Sequence, residues 1–584
     1  MVIKQHLIDP EICIRCNTCI DACGLKRKEE GVVPALRDVA QGAALKTEGR
    51  LHLETYEAAA DMTIDSLKSA PVLVIGAGIM GAGIAQVAAQ AGHAVKLFDA
   101  RDGAAVQAKG KLADSLAGLV AKGKLDAAAV DATLARITPV ATLRDAADAR
   151  LVVEAIVEQL ATKRALFAEL ESLLSDDAVI ATNTSSISVT ALANGMAHPA
   201  RLVGMHFFNP VPLMKLVEVV SGLHTDAGVA DAIFELSKSW GKVPVHARST
   251  PGFIVNRIAR PYYAEALALL GERAIEPAAL DACLRGAGFR MGPCELMDLI
   301  GHDTNFAVTN SVYEANFFDK RYVPSLVQRE MVDGGLFGRK TGRGFFTYVA
   351  GKPMVSADAA VGEAPADAPL GNIVLHGRGP CAELLAARLT AAGLGFDRAA
   401  QSGWTGLTLG GAAAGAALRL TDGRSASQIA AAGPQRDVVV FDLPIAWLGV
   451  AQRAAATVPG VALAFSVAAQ ARADLSEIAA GALRALGFAP QPVADTPGLV
   501  VARSVAMLIN EAADAVQQGV CTPDGADAAM KLGVNYPAGP FEWLARWDAS
   551  AAIDVIEALD ACYRGERYRV SPWLRQAAWR AAGV

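Results

Sequence analysis

The sequence predicts an α/β protein built from two copies of one module, each an α/β unit followed by an all-helical unit. Apolar runs of strand length alternate with helical stretches over residues 71–249, which is typical of a parallel sheet covered by helices on both faces. The sequence then becomes mostly helical. The helical part recurs, because STPGFIVNR at 249–257 returns as DTPGLVVAR at 495–503.

Composition narrows the class of protein. The chain has 584 residues and a formal net charge of −6, which argues against a general nucleic-acid or anionic-membrane partner. No apolar run reaches the roughly 18 residues of a membrane-spanning helix, and the N-terminus lacks the apolar core of a signal peptide. The nine cysteines are an odd number, as expected in a reducing compartment. We therefore expect a cytoplasmic protein.

In chain order the sequence divides into six segments. They are an N-terminal extension with clustered cysteines (1–70), an α/β domain (71–249), a helical domain (250–350), a polar linker (351–370), a degenerate α/β domain (371–490) and a second helical domain (491–584). Within the degenerate domain, GNIVLHGRGPCA is similar to PVLVIGAGIMGA, and RDVVVFDL is similar to ARLVVEAI. A duplicated ancestral module explains both similarities.

A glycine-rich turn opens the first α/β domain. Gly76, Gly78 and Gly81 have G-x-G-x-x-G spacing between an apolar strand and an Ala-rich helix, and Ile79 and Met80 lie between the last two glycines. The first glycine permits a tight turn, the second lets a pyrophosphate approach, and the third lets helix pack on strand. Amide groups at the helix start would bind the phosphates. The sequence predicts a Rossmann-type dinucleotide site, against the alternative of a strand-turn-helix without a ligand.

Asp99 ends the predicted second strand, 18 residues after Gly81. A carboxylate there accepts hydrogen bonds from the adenosine ribose and repels a 2′-phosphate, so it favours NAD over NADP. Arg101, two residues further on, is the feature that would favour NADP.

Three polar clusters follow, NTSS at 183–186, HFFNPVPLMKLVE at 206–218 and PGFIVNR at 251–257. Clusters at the carboxyl ends of strands are expected to meet in one cleft. Together with GAGIMG, VVEAIVE and FGRKTGRGFFTY, these motifs make residues 71–350 resemble the (S)-3-hydroxyacyl-CoA dehydrogenases. The repeat at 371–584 resembles the longer members of that family, which include enzymes acting on 3-hydroxybutyryl-CoA and 3-hydroxyadipyl-CoA.

The resemblance implies catalytic roles for four residues. His206 would be the base that takes the hydroxyl proton, and Glu218 would orient it and stabilise the imidazolium. Ser185 and Asn256 would hydrogen-bond the reacting oxygen, and Ser185 would also touch the cofactor. The alternative structural roles are a packed core histidine, a loop cap for Ser185 and a helix-start residue for Asn256.

Further family positions fall at the cofactor and at the CoA. Glu158 and Lys163 match positions near the cofactor, and Lys163 also matches one near the CoA. Ser115 and Lys122 match contacts to the CoA phosphates. For the lysines, the alternative is a solvated helix face.

The resemblance therefore implies NAD-dependent oxidation of (S)-3-hydroxyacyl-CoA to 3-oxoacyl-CoA, with an acyl-CoA substrate of undetermined chain length. Two alternatives belong to other classes. One is a non-catalytic nucleotide-binding or structural protein on a dehydrogenase scaffold, and the other is an iron–sulfur-linked electron-transfer protein.

The second copy lacks the features of a site. Its turn reads Gly377, Gly379 and Ala382 with Pro380 inserted, and Ala502 stands where the first copy has Asn256. No HFFNP is present, and the region around AFSVAAQ replaces NTSS. We expect this copy to be structural. Since short family members dimerise through their helical domains, the second helical copy would form an intrachain pseudo-dimer with the first, with further homo-oligomerisation left open.

Four cysteines near the N-terminus form C-x2-C-x2-C-x3-C, namely Cys13, Cys16, Cys19 and Cys23. This resembles half of a bacterial two-cluster ferredoxin, although Gly24 replaces the usual proline and no second cysteine run follows. The thiolates could hold an iron–sulfur cluster or Zn²⁺. We favour the alternative, a remnant with free thiols and no metal.

Overall fold

The computed structural model describes residues 67–354, 370–410, 415–444 and 460–583. They form two large sheets, one two-stranded hairpin and two helical regions. Within these residues, no helix is long and apolar enough to cross a membrane. The four clustered cysteines and most of the predicted linker lie outside the described residues.

The first sheet has eight strands. They are β1 (Val72–Ile75), β2 (Val95–Phe98), β3 (Ile137–Pro139), β4 (Leu151–Glu154), β5 (Val179–Thr182), β6 (Leu202–Phe207), β7 (Leu216–Ser221) and β8 (Val243–Arg248). The helices between them are α1 (Ile79–Gln90), α2 (Ala104–Ala121), α3 (Ala127–Ala135), α4 (Leu160–Leu173), α5 (Val189–Ala193) and α6 (Ala227–Ser239).

The strand order is β3-β2-β1-β4-β5-β6-β7-β8. Strands β1 to β6 run parallel, whereas β7 pairs antiparallel with β6 and parallel with β8. Every residue of β1, β4, β5 and β6 is buried, which explains their nearly continuous apolar sequences. The order reverses direction between β1 and β4, and the carboxyl ends of these strands therefore form a crevice in which a ligand can bind.

The first helical region follows β8 directly. Its helices are α7 (Val255–Ile258), α8 (Arg260–Gly271), α9 (Pro277–Gly286), α10 (Pro293–Ile300), α11 (His302–Ala315) and α12 (Leu326–Asp333). A short antiparallel hairpin closes it, formed by β9 (Tyr348–Val349) and β10 (Lys352–Pro353).

The second sheet has seven described strands and three helices. The strands are β11 (Ile373–His376), β12 (Phe396–Ala399), β13 (Gly406–Leu409), β14 (Ala416–Leu420), β15 (Val438–Phe441), β16 (Val461–Val467) and β17 (Phe488–Pro492). The helices are α13 (Pro380–Ala391), α14 (Ala426–Ala431) and α15 (Leu475–Ala485). The strand order is β12-β11-β13-β14-β15-β16-β17.

The pairing in this sheet corrects two of the internal matches made from sequence. Strand β15, which carries RDVVVFDL, pairs parallel with β14 and antiparallel with β16, as β6 does with β5 and β7. It therefore occupies the position of β6 rather than that of β4. AFSVAAQ ends β16, the counterpart of β7, and does not replace the loop after β5. Strand β13 is antiparallel to β11, a reversal that is absent from the first sheet.

The second helical region comprises α16 (Val501–Gln517), α17 (Pro523–Gly533), α18 (Pro540–Trp547), α19 (Ala549–Tyr563) and α20 (Pro572–Ala582). Helix α16 is buried over nearly its whole length and packs against α8 of the first region. The two regions share one continuous apolar core. The predicted fold class, a Rossmann-type α/β domain with an all-α domain, a degenerate α/β unit and a second all-α copy, is confirmed.

Candidate active site

The turn between β1 and α1 is shaped by its three glycines. Gly76 has φ +100°, and a Cβ there would lie 2.4 Å from the Ala155 carbonyl oxygen. A Cβ on Gly81 would lie 1.7 Å from the Gly76 carbonyl oxygen, so helix and strand meet only without a side chain. Gly78, in contrast, has no neighbour within 4 Å of the position of a Cβ. Packing requires the first and third glycines, and the second opens space beside the backbone.

The start of α1 presents its backbone donors to that space. No side chain caps the helix at Gly78, and its first turn contains no acidic residue. Ile79 is 78% exposed and Met80 is half-buried. The amide groups of the first turn therefore retain the positive end of the helix dipole without a side-chain acceptor. This arrangement fits the pyrophosphate of a dinucleotide.

Asp99 directly follows β2 and faces the same turn. Its Oδ2 accepts a hydrogen bond of 2.8 Å from the Ala77 amide, and the Arg101 guanidinium donates to both carboxylate oxygens at 3.0 Å. The hydrogen bonds from the Arg101 side chain outweigh burial and lower the pKa of Asp99 to about 2. The carboxylate is thus ionised at neutral pH, as the repulsion of a 2′-phosphate requires.

His206 and Glu218 face each other across the antiparallel strands β6 and β7. They are direct partners in the strand register, and His206 Nδ1 lies 2.6 Å from Glu218 Oε2. His206 is 6% exposed and Glu218 is fully buried. Because a carboxylate only accepts hydrogen bonds, Nδ1 carries the proton and Nε2 is the nitrogen left to accept one. The rings of Phe208 and Phe253 pack beside the imidazole.

Glu218 also fixes the start of the first helical region. Its Oε1 accepts hydrogen bonds from the amides of Ile254 (3.1 Å) and Val255 (2.9 Å), the residues immediately before Asn256 on α7. Gly252 precedes them with φ +76°, a conformation that a glycine adopts without strain. One carboxylate therefore positions both the imidazole and the turn that carries Asn256.

The loop after β5 is held by Glu158. Its Oε1 accepts hydrogen bonds from the Thr184 hydroxyl (2.6 Å) and from the amides of Ser185 (2.9 Å) and Ser186 (3.0 Å). Burial would raise the pKa of Glu158, but these bonds and the Lys163 ammonium lower it below its usual value. In the same loop, Asn183 Oδ1 accepts a hydrogen bond of 2.8 Å from the amide of Phe207, the neighbour of His206.

Lys163 on α4 lies in the interior. It is 1% exposed, and its Nζ is 2.6 Å from Glu154 Oε1 and 3.2 Å from Glu158 Oε2. The ammonium group thus faces two carboxylates and not solvent, so this arrangement gives no support to the predicted contact with CoA. Glu154, the last residue of β4, was not singled out from the sequence. Its signal was an acidic residue ending an otherwise apolar strand.

A cleft of about 450 Å³ opens between the α/β domain and the first helical region. Its lining includes three of the predicted site residues, Glu158, Ser185 and Asn256. The opposite wall is one face of α11, formed by Asp303, Thr304, Ala307, Val308, Ser311 and Val312. His206 is not part of this lining, but its partner Glu218 is bonded to Val255, next to Asn256, and its neighbour Phe207 is bonded to Asn183, two residues before Ser185.

The two remaining predicted CoA residues lie at the surface. Ser115 is exposed on α2, and Lys122 is exposed just after that helix. The structure does not bring either one into the lining of the cleft. In the described part of the chain, no group of three or more His, Cys, Asp or Glu residues is placed to hold a metal ion.

In the second copy a buried carboxylate again binds the amides at the start of a helix, but no histidine is paired with it in the described residues. Asp442 is fully buried after β15 and accepts hydrogen bonds from the amides of Val500, Val501 and Ala502. It does for α16 what Glu218 does for α7, but from the neighbouring strand. Burial raises the pKa of Asp442 to about 6.

Family profiles match most of the described chain. The profile described as "3-hydroxyacyl-CoA dehydrogenase, NAD binding domain" matches residues 71–250, and "3-hydroxyacyl-CoA dehydrogenase, C-terminal domain" matches residues 252–348 and 498–580. A third profile, "3-hydroxybutyryl-CoA dehydrogenase reduced Rossmann-fold domain", matches residues 418–497.

Similar proteins cover either the whole module pair or its first half. A 3-hydroxyadipyl-CoA dehydrogenase from Escherichia coli strain K12 is 42% identical over 88% of this chain and 98% of its own length. A probable 3-hydroxybutyryl-CoA dehydrogenase from Deinococcus radiodurans is 44% identical over 47% of this chain and 99% of its own. The crystal structure of 3-hydroxybutyryl-CoA dehydrogenase from Escherichia coli K12 superposes with a TM-score of 0.77 at 40% identity, covering 88% of this chain and 99% of that one.

Proposed function

This chain belongs to the 3-hydroxyacyl-CoA dehydrogenase family, and on that premise we propose that it oxidises (S)-3-hydroxyacyl-CoA to 3-oxoacyl-CoA with NAD. The observation that carries the proposed mechanism is the buried pair of His206 Nδ1 and Glu218 Oε2, 2.6 Å apart. Glu218 also accepts a hydrogen bond from the Val255 amide next to Asn256. Phe207, the neighbour of His206, donates to Asn183 in the loop that carries Ser185. Ser185 and Asn256 both line the cleft.

His206 takes the proton of the substrate hydroxyl at Nε2. Imidazole titrates near neutral pH and therefore suits proton transfer in either direction. Glu218 keeps Nδ1 protonated and stabilises the imidazolium that forms. The turn of Gly76, Gly78 and Gly81, together with Asp99, would hold NAD, which would supply the acceptor for the hydride of the carbon that carries the hydroxyl.

Ser185 and Asn256 hold the reacting oxygen. Both line the cleft, and both are fixed through their backbone, Ser185 by Glu158 and Asn256 through its neighbour Val255. Donors aimed at an oxygen on which charge develops contribute about 3 kcal/mol each to lowering a barrier. We assign this stabilisation to their side chains.

The cleft binds the acyl part of the substrate, and CoA extends toward the surface. Ser115 on the exposed side of α2 and Lys122 just after that helix would meet its phosphates. Binding energy gained there orients the distant reacting carbon against the cofactor. Lys163 has a positioning role in this scheme, since it braces Glu158 and Glu154.

The activity is tested with NADH and acetoacetyl-CoA, by following the loss of NADH absorbance. We expect oxidation of NADH at a rate of turnovers per second or faster, and a much weaker reaction with NADPH. Binding of NADH without turnover of any 3-oxoacyl-CoA would instead indicate a nucleotide-binding protein without this activity.

We further propose that the two helical regions form a pseudo-dimer within one chain. Residues 246 positions apart exchange partners: Arg257 pairs with Glu511, and Arg503 pairs with Glu265, each at 2.6 Å. Such reciprocity is the signature of a twofold interface. Light scattering of a fragment spanning 71–350 tests this, since the uncovered face of α8 should make it self-associate. A well-behaved monomer would argue against the proposal.

A cytoplasmic location is a proposal of the same kind. All five cysteines in the described residues are free thiols, and three of them are buried. Free buried thiols suit a reducing compartment. Cell fractionation followed by immunodetection tests the location.

A further inference from the structure

Arg260, the first residue of α8, is a buried cation without an anionic partner. It is 6% exposed, and within the described residues no Asp or Glu forms an ion pair with it. Its Nε donates to the Asn256 carbonyl (2.8 Å), Nη1 donates to the Thr309 hydroxyl (3.1 Å), and the Tyr263 ring lies 4.9 Å away. A buried charge without a counter-charge is costly and calls for an explanation.

The neighbouring buried arginines behave differently. Arg257, Arg321 and Arg503 each lie within 3.3 Å of a buried glutamate. These residues therefore follow the general rule that buried charges are paired, and Arg260 departs from it.

The helical fold itself does not require this guanidinium. The repeat of 246 residues that relates Arg257 to Arg503 relates Arg260 to Ala506, which is fully buried in α16. An alanine thus fills the same place in the copy that has no active site. The arginine occurs only in the copy that lines the cleft.

Arg260 lies next to that cleft. It is one helical turn after Asn256, to whose carbonyl it is bonded, and it also contacts α11, the helix that forms the opposite wall. Arg260 also lines a second cavity of about 190 Å³, together with Tyr263, Thr309, Tyr322 and Gln328. Arg321 and Arg567 border it as well, but both are paired with carboxylates.

We propose that Arg260 binds a carboxylate at the far end of the acyl chain, so that this enzyme prefers CoA thioesters of 3-hydroxydicarboxylic acids. This inference rests on the proposed function. A guanidinium presents a planar fork of donors that matches a carboxylate, and a substrate carboxylate would supply the missing counter-charge. Placed one turn beyond Asn256, the guanidinium would hold the chain end while the hydroxyl-bearing carbon stays at the reacting position.

The test compares two substrates with equal numbers of acyl carbons, (S)-3-hydroxyadipyl-CoA and (S)-3-hydroxyhexanoyl-CoA. The two differ only at the end of the acyl chain, where the adipyl substrate carries a carboxylate and the hexanoyl substrate carries a methyl group. We expect the wild-type enzyme to have the higher kcat/KM for the adipyl substrate. In Arg260→Met, the ratio of kcat/KM for the adipyl substrate to kcat/KM for the hexanoyl substrate should fall by about 10²-fold. The same ratio in Arg260→Lys should lie between those of the wild type and Arg260→Met.

Arg329→Met is the matched control. Arg329 is an exposed residue of α12 paired with Asp333, and its loss should leave the substrate ratio unchanged. Thermal unfolding shows whether Arg260→Met is folded, as Ala506 in the other copy predicts.

Two results would overturn the inference while leaving the proposed function intact. One is a wild-type enzyme that uses both substrates equally well, a measurement that needs no variant. The other is an unchanged substrate ratio in folded Arg260→Met. Turnover of neither substrate would instead reject the proposed function itself, and the inference with it.

Discussion

The guanidinium of Arg257 and the carboxylate of Glu511 form a buried ion pair, with Nε and Oε1 2.6 Å apart. Glu511 also accepts a hydrogen bond of 2.6 Å from the Tyr322 hydroxyl and lies 3.3 Å from Arg321. Burial would raise the pKa of Glu511, but the two arginines lower it below its usual value. This carboxylate of the second helical region is therefore the charge on which three residues of the first converge.

Removing that charge should destabilise the protein. Glu511→Gln leaves Arg257 and Arg321 without a full counter-charge, and breaking a buried pair from one side costs about 3–5 kcal/mol. The thermal unfolding midpoint is the measurement. Asp333→Asn, which breaks the exposed Arg329–Asp333 pair, is the control and should cost under about 1 kcal/mol. Equal effects of the two variants would contradict the assigned role of Glu511.

His206→Gln should lower kcat by about 10²-fold or more, because glutamine cannot take the hydroxyl proton. NAD binding, measured by the quenching of protein fluorescence, should persist. Glu218→Gln should also lower kcat, since an amide can donate to Nδ1 and permits the wrong tautomer. Unchanged turnover in His206→Gln would remove this residue from the mechanism.

Asp99→Ser should raise the KM for NAD and improve the relative use of NADP, because it removes a carboxylate whose pKa lies near 2. Asp99→Asn is the informative companion variant. Its amide oxygen can still accept the Ala77 hydrogen bond that the turn requires, so it tests charge apart from turn geometry. If neither variant alters the preference between NAD and NADP, the assignment of Asp99 is wrong.

Local spacing was enough to predict that Asp99 lies at the glycine turn, since both belong to one strand-helix-strand unit, β1-α1-β2. The fold class also followed from sequence, because buried strands and recurring helices leave regular patterns. Strand positions in the second sheet could not be obtained in this way. RDVVVFDL resembles β4 because any fully buried strand is rich in valine, and only the pairing of β15 with β14 and β16 shows where it lies.

The burial of Lys163 could not be predicted from the sequence either. Its position on α4 is compatible with a solvated face, and it is buried because Glu154 and Glu158 approach from other segments. The unpaired state of Arg260 depends on which carboxylates fail to reach it, which no local pattern records.

Stability should depend on pH through Asp442. Burial raises its pKa from 3.8 to about 6, so the folded state holds the proton more tightly than the unfolded state. The protonated Asp442 therefore adds at most about 3 kcal/mol to the free energy of unfolding. This stabilisation is complete below about pH 4 and is lost as the pH rises through 6. Asparagine at position 442 cannot titrate. Between pH 4.5 and 7.5, the thermal unfolding midpoint of Asp442→Asn should therefore rise relative to that of the wild type. Parallel profiles would show that Asp442 ionises normally in the folded protein.

Gly81→Ala should disrupt the cofactor turn. Its Cβ would meet the Gly76 carbonyl oxygen at 1.7 Å, so α1 must move away from β1 and the amides that face the pyrophosphate move with it. Gly110→Ala is the matched control, because a Cβ on this exposed glycine of α2 would have no neighbour within 4 Å. Alanine there should raise the free energy of unfolding by about 0.5–1 kcal/mol. NAD titration and thermal unfolding of both variants give the comparison. Wild-type NAD affinity in Gly81→Ala would mean that the dinucleotide does not bind at this turn.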